Sequence, residues 1–433
     1  MLAPFALVHC GTAREQGAPE RTAASTAAAQ TSVTAPTTIA VDADAGTDAD
    51  AGDGGTAETA ERPAPLPKRE GDLARFYTAL DALKAGTRKD HVRILWLGDS
   101  HGQADFWSGK LRSILQKRFG NGGPGFVHLG YKGYRHDGVE VIIKEKWSIA
   151  PKNPAASNKA GDGIFGLGGV LMTPKEPGAE AGVEIKDTSL TGKLKWDLCV
   201  RFNRAGDEIT ANITGKKPIK LKASGKASER SALVHSPFAT DPVEKGMRLM
   251  VQPSAGYPSL CGVVIETDPL ESPGVVLDVA GINGARYTTA LGWNEEAWTA
   301  EFMRRSPELV IFEYGTNESG DVGIKAEVYE ERAAKLVERV RNKKPDIDCA
   351  ILAPTERSDQ EERSARIRDI LKAAAKTNKC WFWDTIDVMG GKGSMRKWTL
   401  ENPPKGAKDG VHLTVRGYYS LGERLADDLM QKY

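Results

Sequence analysis

Cysteine is scarce in this chain. Its five, Cys10, Cys199, Cys261, Cys349 and Cys380 in 433 residues, form no C-x-x-C pair, which argues against a structural zinc site. Cys199 and Cys261 either pair within one domain or remain two buried thiols. Long apolar runs are missing too: none approaches the roughly 20 residues that a membrane-spanning helix needs. Nor does one sign of charge dominate. Lys and Arg number 59 against 58 Asp and Glu, a net charge of +1, so no basic field points to nucleic acid as a partner.

Large apolar side chains are almost absent from residues 11–66, a tract of Ala, Thr, Gly, Asp and Pro. Such a composition cannot bury a core, and the tract is expected to be disordered. Before it, Met1 to Cys10 reads MLAPFALVHC. Leu-x-x-Cys at its end is the tail pattern of a bacterial lipoprotein signal. The run is short, no basic segment precedes it, and His9 stands where a small residue is usual. Either an export signal is truncated here or there is none. In the first case a lipid on Cys10 would tether the protein to a membrane outside the cytoplasm, in the periplasm or cell envelope.

Folded sequence is expected from Gly71. Leu73, Phe76, Leu80 and Leu83 are spaced for an amphipathic helix, and a strand is predicted at 92–97. Phe106, Trp107, Leu111, Ile114, Leu115 and Phe119 then recur at helical steps over 103–119. From 136 to 271 the pattern changes to short alternating runs: Val139–Ile142, Val183–Ile185, Leu194–Phe202, Ile209–Ile213, Ile219–Leu221, Met247–Val251 and Val263–Ile265. With Gly, Pro, Asn and Asp between them, they predict a β-sandwich or jelly roll. After Gly274, strands at 275–279, 309–313, 349–353 and 381–385 alternate with helices at 295–304, 325–342, 360–377 and 415–431. The class is α/β, with a five-stranded parallel sheet covered on both faces. The expected domains are a signal-like segment and linker at 1–70, an α/β domain in two parts, 71–135 and 272–433, and an inserted all-β domain at 136–271.

The chemistry gathers around Gly98-Asp99-Ser100-His101-Gly102, at the end of the apolar run Ile94–Leu97. A serine between strand and helix stands at the carboxyl edge of the sheet, where open α/β folds bind ligands. It also lies beside the unpaired N–H groups of the helix start, which favour negative charge. Three later segments are predicted to reach the same edge: Gly281-Ile-Asn-Gly284-Ala-Arg, Tyr314-Gly315-Thr316-Asn317-Glu318 and Asp409-Gly-Val-His412. Serine needs a base within hydrogen-bond reach to act as a nucleophile at neutral pH. His412 can take its proton through one ring nitrogen while Asp409 holds the other. The N–H of Ser100, an N–H at Gly284 and the amide of Asn317 would receive the oxyanion.

In that order, Gly98-Asp99-Ser100, Gly284, Gly315-x-Asn317 and Asp409-x-x-His412 resemble the four blocks of the SGNH/GDSL hydrolase superfamily. Gly-Asp-Ser-His at 98–101, Gln103-Ala-Asp105, Gly284-Ala285 and Asp-Gly-Val-His-Leu-Thr at 409–414 resemble its peptidoglycan O-acetylesterase branch, which carries a carbohydrate-binding-module-like β domain. The resemblance covers roughly residues 90–433 and is specific only in the blocks. It implies a flavodoxin-like three-layer sandwich, a triad of Ser100, Asp409 and His412, and an oxyanion hole of Ser100, Gly284 and Asn317. It also implies an acetylated glycan substrate, peptidoglycan foremost, with no metal and no cofactor. Gly281 competes with Gly284 for the second block; the following alanine favours Gly284.

Other residues carry two readings each. Asp105 is a substrate contact or a helix cap. Trp398, in the loop 390–408 before the triad, is a candidate substrate wall. Trp147 and Trp196 fit core packing better than sugar stacking, and His101 fits packing better than base catalysis. Two further functions use the same sequence: an acetyltransferase with the same triad, and a non-catalytic wall-binding protein. Gly98-x-Ser100-x-Gly102 also matches the nucleophile elbow of α/β-hydrolases, but that fold sets several strands before its elbow, and here only one is predicted up to the serine.

Overall fold

In this computed structural model the described residues run from Arg69 to Tyr433, except 145, 157–160, 225–231, 243 and 245. The signal-like segment and the 11–66 tract lie outside the described residues. The chain begins with α1 (Ala74–Lys84), β1 (Val92–Gly98), α2 (Ser100–Gln103), α3 (Trp107–Phe119) and β2 (Gly125–Val127). A run of strands follows: β3 (Val139–Lys144), β4 (Trp147–Ala150), β5 (Leu171–Pro174), β6 (Glu180–Ile185), β7 (Lys193–Arg201), β8 (Glu208–Ile213), β9 (Ile219–Lys222), β10 (Val234–Pro242), β11 (Arg248–Ala255) and β12 (Ser259–Thr267). Then come β13 (Val275–Gly281), α4 (Tyr287–Leu291), α5 (Glu295–Arg305), β14 (Leu309–Glu313), α6 (Thr316–Gly320), α7 (Val328–Arg341) and β15 (Asp348–Leu352). The chain closes with α8 (Glu361–Thr377), β16 (Trp381–Trp383), α9 (Thr385–Met389), α10 (Ser394–Leu400) and α11 (Val415–Met430).

The parallel sheet has the order β13-β1-β14-β15-β16. Gly98 lies opposite Gly281 on one side and Glu313 on the other, so three strands end level with one another. β13, β14 and β15 are buried along their whole length, as a sheet covered on both faces requires. On one face Leu95, Phe312 and Ile351 pack with Tyr287, Phe302, Leu336 and Leu371 of α4, α5, α7 and α8. On the other, Ile94, Trp96 and Ile311 pack with Phe76, Leu111 and Leu425 of α1, α3 and α11. This is the expected three-layer sandwich.

Two antiparallel sheets form an extra β domain, lying in chain order between β1 and β13. One has the order β10-β7-β12-β5-β4, with β2 also pairing β12; the other is β3-β6-β11-β8-β9. Val183, Ile209 and Leu249 of the second meet Trp196, Leu198 and Val263 of the first in a shared core, which makes a sandwich. The alternating runs did not include β2, β4, β5 and β10. Three of these have four residues or fewer, which leaves little room for alternation to show, and β10 contains Pro237, tolerated because the strand is at the sheet's edge. Phe126, Leu167, Cys199 and Cys261 share a hydrophobic cluster with Leu95, Ala280 and Tyr287, so the core runs from the β domain into the α/β layers.

Two disulfides are present. Cys199–Cys261 joins β7 to β12, the pairing left open in the sequence, and Cys349–Cys380 ties β15 to the approach of β16. Among the described residues no helix is long and apolar enough to cross a membrane.

Candidate active site

β1 delivers Asp99 and Ser100 to the carboxyl edge of the sheet. Asp99 caps α2, its Oδ1 accepting the N–H of His101 at 2.9 Å. Ser100 opens the helix, so its own N–H has no helical acceptor, and the residue is partly exposed. α2 rests so closely on β13 that a Cβ at Gly281 would collide with the backbone of Gly102 and Gln103.

The imidazole arrives from the turn before α11. His412 Nε2 is 2.9 Å from Ser100 Oγ, and Nδ1 is 2.8 Å from Asp409 Oδ2. Asp409 Oδ1 accepts the N–H groups of Val411 and His412, each at 2.9 Å, a turn that fixes the carboxylate within its own loop. Gly410, inside that turn, has a left-handed φ of +69°, and a Cβ there would overlap Ser358 Oγ. The hydrogen bond to His412 outweighs partial burial and holds the Asp409 carboxyl well below the usual carboxylate range. Burial alone would lower His412, but its hydrogen bond to Asp409 and that residue's charge outweigh it, so its pKa lies above 6.5. A proton on Nδ1, facing Asp409, leaves Nε2 free to take one from Ser100.

His101 packs beside this pair with its ring 5.2 Å from that of His412. Its Nδ1 is 2.9 Å from the Tyr418 hydroxyl and its Nε2 is 3.1 Å from Thr355 Oγ1. Burial, reinforced by the charge of His412, lowers its pKa well below 6.5 and keeps it neutral.

Against the segment 98–103 lies the turn after β13, where most N–H groups are already hydrogen-bonded. Ile282 donates to Gly98 O, Asn283 to Gln103 Oε1 at 2.6 Å, Ala285 to Ile282 O and Arg286 to Thr289 Oγ1. The N–H of Gly284, at φ +79°, has no acceptor among the described residues. Asn317, just beyond β14, sets its Nδ2 3.0 Å from Ala285 O and 3.3 Å from Asp99 Oδ2. Its amide therefore stands between the nucleophile turn and the Gly284 turn.

The GDSL-like Lipase/Acylhydrolase family matches residues 251–419, a stretch that holds Gly284, Asn317, Asp409 and His412. The solved structure described as "Peptidoglycan O-acetylesterase in action, 5 min" is similar at TM-score 0.67 and 25% identity, over 83% of this chain and 97% of that one. The chain belongs to the SGNH/GDSL hydrolase family. A family two carbohydrate esterase from Clostridium thermocellum, solved with a bound cello-oligosaccharide, is 9% identical over 68% of this hydrolase and 98% of that chain, at TM-score 0.29. A carbohydrate esterase family 2 enzyme with a carbohydrate binding domain from Corynascus thermopiles is 13% identical over 68% and 99%, at TM-score 0.31. Scores that low carry no weight. No curated protein matches the hydrolase. The family match begins inside β11 and omits Ser100, because the β domain separates the serine's strand from the other blocks.

Two side chains of this hydrolase lie away from the pocket expected for them. Asp105 is fully buried: its carboxylate is paired with Arg112 and accepts Ser108 Oγ and the N–H of Asp137. No oxygen is left for a substrate, and its positive φ of 47° splits the predicted helix 103–119 into α2 and α3. Trp398 is 7% exposed and packs in the core with Met395 and Leu413, so it forms no substrate wall. Trp196 is core, as expected, its Nε1 donating to Thr240 Oγ1.

Three buried polar residues of the site were given no role by the sequence reading. Gln103 ties the Gly284 turn to Gly133 O through its Nε2. Glu318 accepts the N–H groups of Tyr287 and Gly315, both at 2.9 Å, and burial pushes it up to about 7. Glu313 accepts those of Asp99 and Gly102. The readable signals were a charged letter ending the apolar strand Leu309–Glu313, and a glutamate at capping-box spacing after Gly315.

Proposed function

We propose that this hydrolase is a serine esterase that removes O-acetyl groups from a carbohydrate polymer, with peptidoglycan as the glycan. The observation that carries the reading is the continuous chain Ser100 Oγ, His412 Nε2, His412 Nδ1, Asp409 Oδ2, at 2.9 and 2.8 Å. In the proposed cycle Ser100 Oγ attacks the acetyl carbonyl while its proton passes to His412 Nε2. The N–H groups of Ser100 and Gly284 and the Asn317 amide receive the oxyanion. Collapse expels the sugar alkoxide, which takes the proton from His412 and leaves acetyl-Ser100. Water then attacks, giving one proton to His412, and acetic acid departs as that proton returns to Ser100 Oγ, ionising to acetate in the solvent. Asp409 stays ionised and holds the imidazole in one tautomer.

The peptidoglycan reading draws on the likeness to a peptidoglycan O-acetylesterase over 83% of this chain. The β domain would hold the polymer. The two disulfides favour a compartment outside the cytoplasm. The test is acetate release from p-nitrophenyl acetate and from O-acetylated peptidoglycan by the full chain and by Ser100→Ala. A folded Ser100→Ala protein should release none. Activity retained there removes Ser100 as nucleophile. Acetate passed to an added chitooligosaccharide in preference to water makes the protein a transferase.

A further inference from the structure

Glu313 has no part in the cycle above, yet the nucleophile turn is built around it. It ends β14, the strand beside β1, with Gly98 as its partner in register. Its side chain rises under the turn, where Oε2 accepts the N–H of Asp99 at 3.2 Å and that of Gly102 at 3.1 Å. The glycines flanking the serine make room for it: a Cβ at Gly98 would collide with Glu313 Oε2, and one at Gly102 would sit 3.1 Å from the same atom. The two outer glycines of Gly98-Asp99-Ser100-His101-Gly102 thus leave space for a carboxyl group.

Asp99 lies against it. Asp99 is 0% and Glu313 2% exposed, and two adjacent carboxyls out of contact with water cannot both ionise freely. Asp99 already accepts the His101 N–H at Oδ1 and the Asn317 amide at Oδ2. Its backbone N–H is one that Glu313 Oε2 accepts. A chain of contacts therefore runs from Glu313 through Asp99 to Asn317.

We propose that Glu313 is a positioning residue of the acyl-transfer site, whose carboxyl seats the Ser100 turn and orients Asp99, and through Asp99 aims the Asn317 amide at the oxyanion. The inference rests on the esterase reading and deepens it. Both hydrogens of the Asn317 amide are engaged in the resting site, the longer bond being the one to Asp99. When the oxyanion forms, that hydrogen turns to it, and the Glu313 proton moves toward the Asp99 oxygen left behind. No net charge enters the buried pair. Burial, added to by the charge of Asp99, keeps Glu313 protonated, and burial raises Asp99 to about 6. The other titratable or charged groups around the pair are His101, His412, Arg286, Glu318, Tyr287, Tyr314 and Tyr418.

The experiment compares the full chain with Glu313→Leu, Glu313→Gln and Asp99→Asn on p-nitrophenyl acetate, reading kcat and KM separately. Glu313→Leu should lower kcat roughly 100-fold with KM within about threefold, the scale of an ångström-sized misplacement or a lost oxyanion donor. Glu313→Gln keeps a donor toward Asp99 and an acceptor for the two N–H groups, and should recover most of that loss. If Glu313→Leu does not fold, Asp99→Asn decides: one carboxamide oxygen cannot serve both His101 N–H and Asn317, so kcat should again fall roughly 100-fold. Carboxyl carbon NMR of glutamate-labelled protein, with Glu313→Gln identifying the signal, should find Glu313 neutral at neutral pH. Failure of the esterase reading looks different: a parent with no turnover and no labelling of Ser100 by a fluorophosphonate. The present inference is overturned by an active parent whose folded Glu313→Leu or Asp99→Asn variant keeps its kcat, by a glutamine variant as poor as the leucine one, or by an ionised Glu313.

Discussion

His235 joins the β domain to the α/β layers, and its protonation should be measurable as stability. It lies on β10, with Nδ1 2.9 Å from Asp197 Oδ2 on β7 and Nε2 2.8 Å from Glu301 Oε1 on α5. Arg304 reaches the same Asp197 at 3.6 Å. With a carboxylate at each ring nitrogen, the ring carries both protons. Burial lowers its pKa, but the two carboxylates outweigh burial, and it is pushed up to about 9 from 6.5. A folded pKa above the unfolded one means that the native state holds this proton more tightly. The stabilisation is therefore complete below about pH 6.5 and drains away as the pH climbs through about 9. At about 1.4 kcal/mol per pH unit the gap is worth roughly 3 kcal/mol, and the side chain is only 10% exposed, which limits solvent screening. Urea unfolding of the parent and of His235→Gln, at about pH 6, 7.5 and 9.5, tests this. Glutamine keeps a hydrogen-bonding group but does not titrate, and subtracting its curve cancels the other groups that titrate in the window. The parent's advantage should shrink by roughly 3 kcal/mol from the lowest to the highest pH. A difference constant to within about 0.5 kcal/mol would refute the argument.

Other outcomes concern the triad. The acid limb of kcat/KM should lie above pH 6.5, with the rate rising as the pH passes through the pKa of His412, because only the neutral imidazole accepts the serine proton. Asp409→Asn should lower kcat by roughly 1,000- to 10,000-fold and shift the limb to lower pH, measured on p-nitrophenyl acetate across that range. Gly410→Ala should lower kcat at least about tenfold with KM little changed, since the new Cβ must push Ser358 or the Asp409–His412 turn aside. Ser358→Gly in the same chain should return part of the loss.

What the sequence disclosed depended on pattern length. β13, β14 and β15 are mostly apolar and buried throughout, and their helices keep a regular apolar step, so the parallel sheet was readable to within a residue or two. β2, with three residues, and β10, with a proline, carry no comparable signal. At the site, Ser100, His412 and Asp409, which lie within hydrogen-bond distance in series, and both second-block glycines could be picked out because each is a spelled-out block. The division of labour between the glycines could not: whether Gly281 or Gly284 has the open N–H depends on α2 lying against β13, a contact between segments far apart in sequence. Asp105 misled because an acidic letter near a serine reads the same whether it faces a pocket or a buried arginine. Glu313 was passed over because a strand ending in a charge looks like a strand reaching solvent, whereas here the chain folds back over it.

Ser100's strand, β1, is flanked on both sides by strands that come much later in the chain, β13 and β14. Until synthesis has passed Gly281, β1 has no hydrogen-bonding neighbour on either edge, and until it has passed Glu313 one edge stays open and the serine has no floor. The β domain intervenes, and every strand that its two sheets pair lies before β13 in the chain, so it is synthesised while β1 waits. Closure of the ester-cleaving centre is thus among the last events of folding, a long-range and therefore slow one, and a ribosome-bound or truncated nascent chain is inert by topology alone.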